Sequence, residues 1–130
     1  MDLAGKSNIQ RWVQEFHEAK GHLINHSLDN EAMIFRARLI AEEFAELLKA
    51  MNLMDPVEIA DALGDLEYVI NGTAVTFGFP LEAIVKEIHR SNMTKAENVE
   101  GKPRKGKLFS PPDILSILKK YWLQIEEYSP

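Results

Sequence analysis

Two long helical patterns, separated by a sharp stop and restart, constrain this chain more than any other feature. Apolar residues recur at three- and four-residue spacing from about Asn30 to Asn52 and again from Pro56 to about Phe77. Between them Asp55-Pro56-Val57-Glu58 reads as a helix start, with Asp as N-cap, Pro at N1 and Glu at N3. Gly78 stops the second helix. Both helices carry acids beside their apolar stripes. Leu39, Glu43, Glu46 and Ala50 fall on one row of the first, at i, i+4, i+7 and i+11. Glu58, Asp61, Asp65 and Tyr68 fall on one row of the second, at i, i+3, i+7 and i+10. Packed antiparallel, the two helices bring these rows face to face.

The rest of the chain is helical by the same reading. Ile9, Trp12, Val13 and Phe16 make the apolar face of an opening helix, capped by Ser7 or Asn8 and ended by Gly21. A loop covers His22 to Asp29. Pro80 opens a fourth helix with Leu81, Ile84, Val85 and Ile88 inward. Pro111-Pro112-Asp113 opens a fifth, with Ile114, Ile117, Leu118, Tyr121 and Ile125 on one side. Expected inward stripes are Met33, Ala37, Ile40, Phe44, Leu47, Leu48 and Met51 on the second helix, and Leu63, Leu66, Ile70, Ala74 and Phe77 on the third. No alternating strand stands out, and residues 91–110 read as a basic surface loop broken by Gly101, Pro103 and Gly106. The expectation is all-α: one domain over 1–130, an antiparallel bundle of about five helices. The apolar surplus on several helices is to be covered by oligomerisation, as a homodimer or homotetramer.

Composition narrows the function. A formal charge of −5 argues against a duplex nucleic acid partner. No run reaches the roughly 18 apolar residues that span a bilayer, so no membrane is expected. The first residues lack the apolar stretch of a signal peptide, which fits a cytoplasmic protein. With no cysteine there is no disulfide and no thiolate ligand.

The acid rows then carry the chemistry. Like charges at helical spacing destabilise a bare helix, and four or five carboxylates converging in a partly dry place raise one another's pKa. A cation relieves both. Oxygen ligands alone point to Mg²⁺, with Mn²⁺ as a substitute. The metal set read from the sequence is Glu43, Glu46, Asp61 and Asp65. Glu42, adjacent to the ligands, stands as a catalytic base or further ligand with Glu43. Divalent ions beside carboxylates suit phosphoryl or nucleotidyl transfer. Arg36 and Arg38, just upstream, are placed to neutralise acids, and Arg38 to reach a phosphate. An aromatic of the first helix, Trp12 or Phe16, would line a base pocket if it is not core. His17, His22 and His26 have no ligand spacing with the acids.

Read in order, these blocks resemble the all-α nucleoside triphosphate pyrophosphohydrolases, which include the MazG-like proteins, the dimeric dUTPases and phosphoribosyl-ATP pyrophosphohydrolase. Glu42-Glu43-x-x-Glu46 matches the family's E-E-x-x-E. Asp61-Ala62-Leu63-Gly64-Asp65-Leu66-x-Tyr68-Val69 and the following Gly72 look like the second half in the phosphoribosyl-ATP pyrophosphohydrolase-like branch. So do His89-Arg90-Ser91-Asn92-Met93-Thr94-Lys95, and Gly101-Lys102-x-x-Lys105-Gly106 leading into Pro111-Pro112-Asp113. One position departs: where the family's E-x-x-D places Glu before Asp65, this chain has Ala62. Asp61 or Glu58 then fills the second-helix position, and the downstream alignment favours Asp61.

The resemblance implies Mg²⁺-dependent hydrolysis of a nucleoside triphosphate between the α and β phosphates, giving a monophosphate and pyrophosphate. Glu43, Glu46 and Asp65 would be ligands, and Glu42 would support a further ion or the nucleophilic water. Asn92 and Lys95 would contact phosphates or sugar with help from Tyr68. Lys102 and Lys105 belong to a basic segment that would close over the nucleotide. Clearance of non-standard or surplus nucleotides is the first functional expectation. Phosphoribosyl-ATP hydrolysis in histidine synthesis and a non-catalytic nucleotide-binding protein are the alternatives.

Overall fold

The computed structural model describes residues 5–99 and 102–128, apart from the side chains of 97–99, 102–104 and 127. It is all-α. Among the described residues five α-helices follow one another: α1 (Asn8–Lys20), α2 (Asn30–Leu53), α3 (Pro56–Phe77), α4 (Leu81–Asn92) and α5 (Ile114–Tyr121). The described chain divides into two compact units, Ser7–Gly78 and the remainder, where the sequence reading treats it as one domain.

In the Ser7–Gly78 unit α3 is the central element, packed against both α2 and α1. The turn between α2 and α3 is built as its residues dictate. The Asp55 carboxylate accepts from the backbone N–H of Val57 at 3.0 Å and of Glu58 at 3.2 Å. Pro56 follows at N1. Gly78 closes α3 in the left-handed conformation, φ 77°, and a Cβ there would lie 2.5 Å from the Asn25 Oδ1. The α1–α2 loop is pinned to this end: Asn25 and His26 donate their backbone N–H groups to the carbonyls of Val75 and Thr76 at 3.1 and 2.7 Å. These bonds go to carbonyls of the last turn of α3, of which that of Val75 also accepts from the capping Gly78 N–H at 3.3 Å.

The buried faces match the expected stripes in part: Val13, Leu47, Ala74 and Phe77 are buried as expected, and the rest differ. On α1 the buried row is Gln10, Val13, Gln14 and His17, while Trp12 is 62% exposed. On α2 the buried residues are Ala32, Arg36, Leu47 and Ala50, with Phe44, Leu48 and Met51 about half exposed. On α3 burial concentrates from Asn71 to Phe77, plus Ala62, and Leu63 and Ile70 are outward. The cause is that polar side chains here find partners inside. His17 Nδ1 lies 2.9 Å from the carbonyl oxygen of Leu23, Asn71 donates to the Glu67 carbonyl at 2.9 Å, and Thr76 to that of Gly72 at 2.8 Å. Large apolar groups are left on the outer surface of the unit.

The second unit holds α4, α5 and a short antiparallel hairpin, β1 (Ala96–Val99) and β2 (Lys102–Arg104). Ala96 lies opposite Arg104 and Val99 opposite Lys102, with an irregular register between. The expected loop over 91–110 therefore contains paired strands. Strands of four and three residues are too short to show a period of two in the sequence. Arg90 forks onto Glu87 at 2.7 and 3.0 Å, and the Asp113 N–H adds a third bond at 2.7 Å. Together they hold the Glu87 carboxyl down at about 2. Trp122 is buried and stacks on Phe79 at 4.9 Å between ring centres. Among the described residues no single helix is long and apolar enough to cross a membrane.

Candidate functional site

The α2–α3 hairpin brings carboxylates of both helices together. Glu43 and Glu46, on adjacent turns of α2, and Asp65 on α3 each offer an oxygen within 4.8 Å of the other two. Glu46 and Asp65 are exposed, and Glu43 is half-buried. One Glu43 oxygen, Oε2, is shut off from solvent and has no hydrogen-bond partner among the described residues. Burial pushes the Glu43 carboxyl above its ordinary pKa, and the charges of Glu46, Asp65 and Glu42 push the same way. An anionic oxygen buried without a donor is costly by itself and well suited to a cation. Three converging carboxylates with no sulfur or imidazole among them are a hard-oxygen set, which fits Mg²⁺ or Mn²⁺.

The other candidates are placed variously. Glu42 is exposed on α2 next to Glu43, outside the converging trio. Asp61 is exposed one turn before Asp65 and also lies outside it, as does Glu58. Arg38 is exposed on α2. Tyr68, one turn after Asp65, meets the Phe16 ring edge to face at 5.8 Å, with both rings more than a third exposed. Asn92, Lys95, Lys102 and Lys105 belong to the second unit. Asn92 is exposed at the end of α4, and its carbonyl accepts from the Lys95 N–H at 3.1 Å. Lys105 sits over the Phe109 ring at 5.1 Å. Lys102 is in β2, and its side chain, like Gly101, lies outside the described residues.

Arg36 departs from its expected part as a neutraliser of acids. It is 5% exposed, donating from Nε to the Thr73 hydroxyl at 3.1 Å and from Nη2 to the Val69 carbonyl at 2.8 Å. Its guanidinium fills the space above Gly72, where a Cβ would overlap it. His17, His22 and His26, to which the sequence assigns nothing, line a cavity with it. Gly72, unlike Gly64 of the same helix, has no room for a Cβ, and its presence in α3 is the sequence trace of that close approach.

An all-α chain with a trio of carboxylates on a helical hairpin is the class that fold and site define. The profile of the phosphoribosyl-ATP pyrophosphohydrolase family matches residues 13–92, most of the chain, and the protein belongs to that family. The match includes Glu43, Glu46, Asp65, Tyr68 and Asn92 and stops before Lys95. An uncharacterized protein of Acanthamoeba polyphaga mimivirus is 38% identical over 94 residues. That alignment covers 62% of this chain and 38% of the relative, so the chain spans less than half the length of the viral protein.

Proposed function

We propose that this protein is a Mg²⁺-dependent pyrophosphohydrolase that cleaves nucleoside triphosphates between the α and β phosphates, releasing a nucleoside monophosphate and pyrophosphate. The observation that carries the reading is the carboxylate trio with its buried, unpartnered Glu43 oxygen. Glu43, Glu46 and Asp65 would hold the metal, with Asp61 or Glu58 adding a ligand from the same row of α3. When bound, a divalent ion neutralises phosphate charge and makes water a better nucleophile at neutral pH. Glu42 accepts the proton of the attacking water. Tyr68 and Phe16 offer ring faces on which a base can stack, one turn from Asp65. Arg38, exposed on α2, supplies a cation for the phosphates.

Phosphoribosyl-ATP is the second substrate reading, favoured by the family matched over residues 13–92. The bond broken is the same α–β anhydride. The half-exposed Phe44, Leu48, Met51 and Leu63 support a homodimer or homotetramer, since a lone copy leaves them in water. A cytoplasmic location, where nucleotides and Mg²⁺ are supplied, belongs to the same proposal. A panel of ribo- and deoxyribonucleoside triphosphates plus phosphoribosyl-ATP, with and without Mg²⁺, tests it. Pyrophosphate and a monophosphate from a triphosphate favour clearance of nucleotides; turnover of phosphoribosyl-ATP alone favours the second reading. Metal-dependent binding with no product would make the protein a non-catalytic nucleotide binder.

A further inference from the structure

A cavity of about 550 Å³ opens in the Ser7–Gly78 unit, between the end of α1, the start of α2 and the end of α3. It is separate from the carboxylate trio: its α2 wall is Glu31, Ala32, Phe35 and Arg36, and Glu43 lies seven residues beyond Arg36, about 10 Å along the helix. His17, His22 and His26 line it from the other side, with Leu23 adding apolar surface.

Arg36 is the buried guanidinium of this wall, and its hydrogen-bond partners, a hydroxyl and a backbone carbonyl, are neutral. A guanidinium has five N–H donors. Two are used, on Thr73 and on the Val69 carbonyl, and the other three meet no acceptor among the described residues. No carboxylate pairs with it. The ion pairs of the described residues are His26–Asp29, Lys86–Glu82 and Arg90–Glu87, so of the two acids that line the cavity Asp29 pairs with His26 and neither pairs with Arg36. The Phe35 ring lies beside the cation, 5.8 Å from its centre. Burial disfavours the charged form enough to lower the Arg36 pKa from its ordinary value. A fold that keeps a buried cation without a counter-ion carries an electrostatic cost that an arriving anion would remove.

We propose that this cavity binds a small organic anion, a carboxylate or phosphate monoester whose head pairs with Arg36 and whose apolar body lies against Phe35, Ala32 and Leu23. The volume is that of a small-molecule pocket and exceeds what a bare phosphate fills. The free edge of a guanidinium matches the two oxygens of a carboxylate or phosphate. Glu31 in the same wall adds a negative charge that disfavours polyphosphates, which separates this ligand from a triphosphate substrate.

The test titrates the metal-free protein, in the presence of a chelator, with benzoate, phenyl phosphate and inorganic phosphate. Binding is read by calorimetry and by nuclear magnetic resonance of the Arg36 Nε–H and the histidine rings. Saturable binding of benzoate or phenyl phosphate is expected, with the Arg36 and His17 signals moving. The stronger of the two names the head group, and inorganic phosphate binds about tenfold or more weakly. Arg36→Met should lose about tenfold or more in affinity, the worth of a charged hydrogen bond. Glu31→Gln, an exposed change that leaves the core intact, should strengthen phenyl phosphate binding. Absence of saturable binding to the wild-type protein overturns the proposal. So do shifts confined to residues around Glu43 and Asp65, or full affinity in Arg36→Met. Should Arg36→Met fail to fold, the wild-type shifts and Glu31→Gln decide alone.

Discussion

Gly72→Ala is the sharpest test of how this fold is held. A Cβ at Gly72 would fall on the Arg36 Nη2, 3.2 Å from Cζ and 3.4 Å from the His17 Nε2. The guanidinium cannot yield in place, because it is 5% exposed and tied to α3 through Thr73 and Val69. It must leave, and two bonds from a charged donor go with it, each worth about 1.5–3 kcal/mol. Alanine returns about 1 kcal/mol of helix propensity relative to glycine. The expected net loss is roughly 2–5 kcal/mol. Urea unfolding followed by circular dichroism should show a lower midpoint with an unchanged slope. Arg36→Met already lacks these two bonds and ends short of the clash, so adding Gly72→Ala to it should cost little more, and the double-mutant cycle isolates the contact. A Gly72→Ala protein as stable as the wild type would refute the reasoning: Arg36 would then be free to move, and the α2–α3 crossing would rest on other contacts.

Three further outcomes follow from the same structure. Mg²⁺ at a hundredfold its dissociation constant should stabilise the wild type by about 2.7 kcal/mol in thermal unfolding, while Glu43→Gln and Asp65→Asn should show little response; equal shifts in all three would place the metal elsewhere. His17 has its pKa lowered, chiefly by burial, so the unfolded chain binds the extra proton first. Stability is then full above 6.5 and falls as pH drops through 6.5 toward the lower folded value, and a flat pH profile for the difference between wild type and His17→Gln would contradict this. Asp55→Ala removes the oxygen that caps α3 and should cost about 1 kcal/mol in urea unfolding; no change would mean that Pro56 alone sets the helix start.

Local chemistry was the legible part of this protein. Asp55-Pro56 and Gly78 bound α3 where the sequence places them, because caps act over a few residues. Glu43 and Glu46, three residues apart on α2, offer oxygens close to that of Asp65 on α3, a spacing that can be read in the chain. Which face of α1 is buried was not legible. Trp12 outranks Gln10 and Gln14 in hydropathy, yet the amides go inside, since burial is decided by packing against α3. The same holds for Asp61 against Asp65: both lie on one row of α3, and only the register of the hairpin selects which turn meets Glu43. The Arg36 cavity was invisible for a further reason. It joins three segments that are distant in sequence, and its histidines show no spacing in the chain.

The central claim is that the carboxylates of α2 and α3 run a metal-dependent hydrolysis, and Glu46→Gln tests it most directly. Glu46 is exposed, so the amide should leave the thermal unfolding of the metal-free protein unchanged. Initial rates of pyrophosphate release with Mg²⁺, on the best substrate of the panel, are then compared with wild type. The account predicts pyrophosphate from the wild type and none from Glu46→Gln. A variant that folds and turns over at the wild-type rate would contradict it.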